Sequence, residues 1–170
     1  MNTNDDLKDL FAYAKSEFLK NNLGKSVELL GKLLEKDPNH KLALTTRGTA
    51  HLKMNHPDAA VEDFDRAIHI DPSYARAYHM RGVAKETKGD SDSAMEDFTK
   101  AIELKPEYGV AYYSRAALYS KLGKEGFAAE DIKTVTHITN TNIEAFANEN
   151  NVWRSNQLRV EDMLESEMNR

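Results

Sequence analysis

Displaced by 34 residues, the chain falls on itself. Gly48 meets Gly82, Ala60 meets Ala94, Phe64 meets Phe98, Ala67 meets Ala101, Pro72 meets Pro106 and Tyr74 meets Tyr108, while Arg47, Arg81 and Arg115 share one column. A fixed period of this length restricts the fold more than any local propensity does. It points to one supersecondary unit stacked on copies of itself, because a single unit cannot bury its own apolar face. Four units lie end to end, 7–40, 41–74, 75–108 and 109–142, and a remainder, 143–170, follows without a full repeat.

Each unit reads as two helices, A and B, joined by a tight turn. Helix A of the third unit carries Ala77, Tyr78, Val83 and Ala84 at helical spacing. Gly89 and Gly123 end their A helices, and Asn21 and Asn55 hold the same column, all residues that tolerate a left-handed cap. Helix B of the third unit opens with Asp90-Ser91-Asp92-Ser93, which caps amides; in the second unit Pro57 stands there, acceptable in a first turn. Pro38, Pro72 and Pro106 close helix B, with Asn140 in the fourth unit. Small residues mark a close crossing of A and B: Gly48 and Gly82, with Ala14 and Ala116 in the outer units, against Ala60, Ala94 and Ala128. Phe64 and Phe98 fill the space beside them.

The ends differ from the middle. The first unit is richer in large apolar residues (Phe11, Tyr13, Phe18, Leu29, Leu30, Leu33, Leu34). The fourth closes on Val135-Thr136-His137-Ile138-Thr139, a β-branched run that predicts a helix ending early or fraying. Residues 143–170 are expected to form a C-terminal cap. Ile143 to Phe146 resemble the start of another helix A, and Ser155 precedes a helix with Leu158, Met163, Leu164 and Met168 inward and Glu161, Asp162, Glu165 and Glu167 outward. A solenoid needs such a polar end.

Two columns change together. Where helix A has Arg47, Arg81 and Arg115, helix B has Asp63, Asp97 and Asp131; in the first unit both are replaced, by Tyr13 and Leu29. Contact is the simplest physical account, so each Arg is expected to pair with an Asp of its own or an adjacent unit, and Tyr13 to pack on Leu29.

Composition narrows the function. The net charge of −5 argues against general affinity for nucleic acid or anionic membranes. With no Cys there is neither a disulfide framework nor a thiolate metal site. The N-terminus is acidic and lacks an apolar core, and no stretch approaches the roughly 18 apolar residues of a membrane span; the expected location is cytoplasmic. The six His residues form no H-E-x-x-H and no pair four apart, so no metal is expected. No Gly-rich phosphate loop or nucleophile elbow is present. No cofactor and no catalysis are expected.

The run Tyr78…Gly82…Ala94…Phe98…Ala101…Pro106 resembles a tetratricopeptide repeat, and the resemblance extends over about the first 142 residues. His51 and Lys85 depart from it, standing where the family carries Tyr. The resemblance implies an all-α fold, a right-handed α-solenoid of about four helix-turn-helix units with a C-terminal capping region. Its A helices would line a concave face that holds an extended peptide or a partner helix. Projected on that geometry, the groove would take Lys15 in unit one, with Lys8, Phe11 and Ala12 nearby, and Thr46, Thr49 and Lys53 in unit two, with Leu42 and Thr45. It would take Arg76, His79, Met80 and Val83 in unit three, with Glu86 and Thr87, and Tyr113, Ser114, Ala117 and Lys121 in unit four, with Val110. Five of these residues are cationic and one is anionic, which favours an acidic peptide segment, with Phe11, Met80 and Tyr113 as apolar anchors. The clamp of the family's heat-shock co-chaperones, Lys and Asn, then Asn, then Lys and Arg, is in neither register: units one to three present Phe11 and Lys15, then Thr46, then Arg76 and Met80, and units two to four present Thr45 and Thr49, then Met80, then Val110 and Ser114. The expected function is a non-catalytic protein-interaction scaffold or adaptor. The alternative is a homo-oligomeric structural scaffold assembling through its ends or its groove.

Overall fold

Each helix stops where backbone chemistry stops it. The computed structural model describes residues 3–142 and 145. The chain runs α1 (Thr3–Leu19), α2 (Leu23–Lys36), α3 (Lys41–Lys53), α4 (Pro57–Ile70), α5 (Ala75–Thr87), α6 (Ser91–Leu104) and α7 (Gly109–Lys121), and an eighth helix, α8, occupies 125–142. Within each hairpin the turn residue has positive φ: Asn21 at 64°, Asn55 at 60°, Gly89 at 87° and Gly123 at 70°. Pro57 begins α4, and the Asp90 carboxylate accepts the Ser93 N–H at 3.1 Å. A cap the sequence did not suggest is His40, whose Nδ1 accepts the Ala43 N–H at 3.1 Å.

Sequential helices pack on one another; beyond them α1 touches α3 and α3 touches α5. The odd-numbered helices therefore form one layer and the even-numbered helices back it, the arrangement of an α-solenoid. The close crossings are real. A Cβ on Gly82 would lie 2.7 Å from Cε1 of Phe98, and one on Gly48 would lie 2.9 Å from Cε1 of Phe64. Phe64, Phe98, Ala60 and Ala94 are fully buried there. The α1–α2 hairpin instead buries Leu29, Leu30, Leu33 and Leu34 in a cluster shared with Ala43, Leu44, Ala67 and Ala77.

The two covarying columns are bidentate ion pairs. Arg47 donates to Asp63 at 2.9 and 2.6 Å, Arg81 to Asp97 at 2.9 and 2.6 Å, and Arg115 to Asp131 at 2.8 and 2.8 Å. The three carboxylates are buried, and the fork geometry satisfies both their oxygens. Each guanidinium has a further Nη1 aimed at the preceding unit. Nη1 of Arg81 donates to Asp65 at 2.6 Å and that of Arg115 to Thr99 at 3.2 Å, but that of Arg47 faces Gly31, 3.9 Å from where a Cβ would stand. In the first unit Lys25 lies over the Tyr13 ring, Leu29 joins the core, and buried Glu17 accepts from Lys20 at 3.1 Å and Asn22 at 2.9 Å.

The β-branched run does not end its helix: 125–142 is helical without a break. The hydroxyls explain it. Thr134, Thr136, Thr139 and Thr141 each donate to the carbonyl four residues back, at 2.8 to 3.1 Å, so the polar groups that would compete with the helix are satisfied inside it. The expected cap at 143–170 lies outside the described residues, apart from position 145.

Candidate functional site

The inner layer opens into a recess of about 270 Å³ between α1, α3 and α5. Phe11, Phe18 and Leu19 come from α1, Leu42, Thr45, Thr46 and Thr49 from α3, Lys15 from α1 and Arg76 from α5. Leu19 and Leu42 are 74% and 48% exposed, so the walls are apolar and open to solvent. The threonine hydroxyl protons are used within α3: Thr46 donates to the Leu42 carbonyl and Thr49 to the Thr45 carbonyl, both at 2.7 Å. The polarity of the recess is therefore set by its cations. Among the described residues neither Lys15 nor Arg76 has a carboxylate within ion-pair distance, and Lys53 lies over the Phe18 ring at 5.1 Å. In a chain of net charge −5 this is a local excess of unpaired positive charge around apolar walls.

Of the residues the sequence put forward, Lys15, Thr46, Thr49 and Arg76 meet in this recess, and Lys53 stands beside it. Tyr113 and Ala117 are elsewhere, lining a second recess of about 350 Å³ with Ala128, Ala129 and Ile132 where α7 meets α8. Lys121 is paired with Glu86 at 3.6 Å. The α5 residues are mostly spent on packing. Met80 is partly buried against the cluster of Ala60, Phe64 and Ala84, and Val83 against Ala94, Phe98 and Leu118.

His79 requires the clearest correction, because it is buried rather than open to a ligand. Its Nε2 is hydrogen-bonded to Ser114 Oγ at 2.9 Å, and its ring sits 5.8 Å from Phe98 and 5.5 Å from Tyr108. Nδ1 has no partner. Burial, with the Arg76 guanidinium nearby, pushes this imidazole down to about 4, so it is neutral at pH 7. His79 and Ser114 are therefore a joint between α5 and α7. Helical spacing on one helix cannot reveal this, since it does not say where the next unit's helix A lies.

Phe18 and Leu19 were not placed in the groove by sequence reasoning. The signal was the surplus of large apolar residues in the first unit. Among the described residues no group of three or more His, Cys, Asp or Glu could hold a metal ion, and no helix is long and apolar enough to cross a membrane.

Comparison with known proteins agrees with this architecture. Residues 45–109 match the tetratricopeptide repeat family model. No curated protein matches the sequence. Among solved structures, a crystal structure of MamA superposes with a TM-score of 0.75 at 25% identity, covering 81% of this chain and 81% of that one. The 41-end portion of MamA from Desulfovibrio magneticus RS-1 gives 0.73 at 21% identity, covering 79% and 76%. The first such domain of Spaghetti (RPAP3), bound to the HSP90 peptide SRMEEVD, gives 0.66 at 21% identity, covering 69% and 93%.

Proposed function

Since this is a chain of tetratricopeptide repeats, we propose that it is a non-catalytic interaction scaffold whose α1–α3–α5 groove binds an acidic, partly apolar peptide segment of a partner protein. The observation that carries this is that Lys15 and Arg76, at the edge of an apolar recess, have no carboxylate partner among the described residues. A carboxylate-bearing segment supplies their missing counter-charges, and an apolar side chain beside it displaces water from Phe11, Phe18 and Leu42. α3 and α5 are held to their partner helices by ion pairs and close crossings and α1 to α2 by buried leucines, so the ordering cost falls mainly on the peptide. The repeat domain of RPAP3 holds an acidic peptide on the same fold. The side chains here differ: Phe11, Thr46 and Met80 stand where that subclass carries Lys, Asn and Arg, so the preferred sequence differs too.

The test is a pull-down from lysate with the wild type beside a Lys15→Glu/Arg76→Glu variant of equal melting temperature. Partners lost with the variant support the groove; the same partners on both proteins sink it. A second reading, self-assembly through the chain's end, draws on the open recess at α7 and α8, where Tyr113 is 62% and Ile132 is 43% exposed. A mass by light scattering that does not rise with concentration rules it out.

A further inference from the structure

The chain itself contains a segment with the chemistry this groove requires. Val160 to Asn169 reads VEDMLESEMN: four carboxylates, no cation, Met163 and Leu164 between them and Met168 after the last. It lies outside the described residues. We propose that this acidic segment occupies the α1–α3–α5 groove of its own chain, its carboxylates set against Lys15 and Arg76 and one apolar side chain in the recess. A partner then competes with the tail. The inference rests on the reading of the groove as an acidic-peptide site.

Two features support it. The first is charge complementarity. Lys15 and Arg76 are exposed and have no carboxylate within ion-pair distance among the described residues, whereas Lys121, at the other end of the inner layer, already has Glu86. The unpaired cations are thus confined to the half of the groove that has the apolar recess. The second is reach. Glu161 comes sixteen residues after position 145. Inner-layer helices of neighbouring units lie about 10 Å apart, so the recess is roughly 20–30 Å from α7. Sixteen residues span about 24 Å as a helix and about 53 Å extended, so the tether does not prevent docking. A tether of this length gives an effective concentration on the order of millimolar, enough to hold even a weak ligand in place.

The experiment uses the full chain and a fluorescent peptide of residues 160–169 as probe. It compares wild type, a tail-neutral variant (Glu161→Gln, Asp162→Asn, Glu165→Gln, Glu167→Gln) and the same variant with Lys15→Glu/Arg76→Glu. Circular dichroism melts verify that all three fold. The expected result is probe binding at least tenfold tighter to the tail-neutral chain than to wild type, abolished by reversing the two cations. Equal affinity for wild type and tail-neutral chain overturns the proposal and leaves the tail as an end cap only. Wild-type affinity that rises on dilution, as dimers dissociate, also overturns it, because the tail then sits in a second copy. An unrelated peptide alternating Glu and Leu separates the two readings. If it binds through Lys15 and Arg76 while the 160–169 probe does not, self-occupancy falls and the groove stands. If neither probe depends on those cations, both fall.

Discussion

The first and third hairpins reach the same shape by different physics. The α1–α2 hairpin is closed by leucines: Leu30 and Leu33 are fully buried, and no Arg–Asp pair crosses it. The α5–α6 hairpin has Gly82, Ala94 and Phe98 at its crossing and adds a buried carboxylate, Asp97, held by Arg81 at 2.6 Å and Lys85 at 2.9 Å. Burial of leucine stabilises without specifying register, because one aliphatic contact substitutes for another. A bidentate pair between fixed positions adds little net energy over an apolar isostere but penalises every misaligned arrangement. The first hairpin relies on buried area; the third relies on register.

The comparison can be broken most directly at Asp97. Asp97→Ala is expected to cost about 3–5 kcal/mol in urea unfolding, since it leaves two cations facing an empty site. The double change Arg81→Tyr/Asp97→Leu installs the first unit's residues, Tyr13 and Leu29, and is expected to recover most of that loss. A loss under about 1 kcal/mol for Asp97→Ala marks the pair as surface-like and removes the distinction between the hairpins.

A smaller effect follows from acid. His79 is held at about 4 in the fold against 6.5 when free, so its contribution is complete above pH 6.5 and is lost as the pH falls toward 4. The loss is up to about 3 kcal/mol by pH 4. In thermal melts from pH 7 to 4.5, His79→Phe is expected to have a shallower slope than wild type; equal slopes detach the α5–α7 joint from the imidazole.

The smallest effect sharpens the contrast from the other side. Gly31 holds the column of Asp65 and Thr99, and Nη1 of Arg47 faces it. Gly31→Asp is expected to stabilise by about 0.5–1 kcal/mol, from the lost interior glycine and a new charged contact. No change in melting temperature means the third arm of the arginine carries no stabilisation.

Much of the fold was legible because the repeats served as their own comparison. The Arg–Asp columns could be paired from four copies, and the caps at Asn21, Asn55, Gly89 and Gly123 follow from residues that tolerate positive φ. The helix at 135–139 was misread because propensity ranks threonine by its backbone competition and ignores the carbonyl four residues back that can absorb it. The groove was legible in part. Lys15, Thr46, Thr49 and Arg76 lie on helix faces that spacing identifies, whereas His79, Met80 and Val83 are covered by contacts with other helices that spacing along α5 does not encode.

The third arm of each arginine has a consequence for how the stack comes apart. A chain of repeats behaves as a one-dimensional array with couplings between nearest neighbours, and its stability depends on how those couplings are distributed. Here they are unequal. The arm from the third unit to the second ends on a carboxylate, the arm from the fourth to the third on a hydroxyl, and the arm from the second to the first on a glycine. On this count the strongest joint is central and the array is graded outward from it. Of these three joints the α4–α5 boundary opens last, so the α1 wall of the groove loosens before the α5 wall.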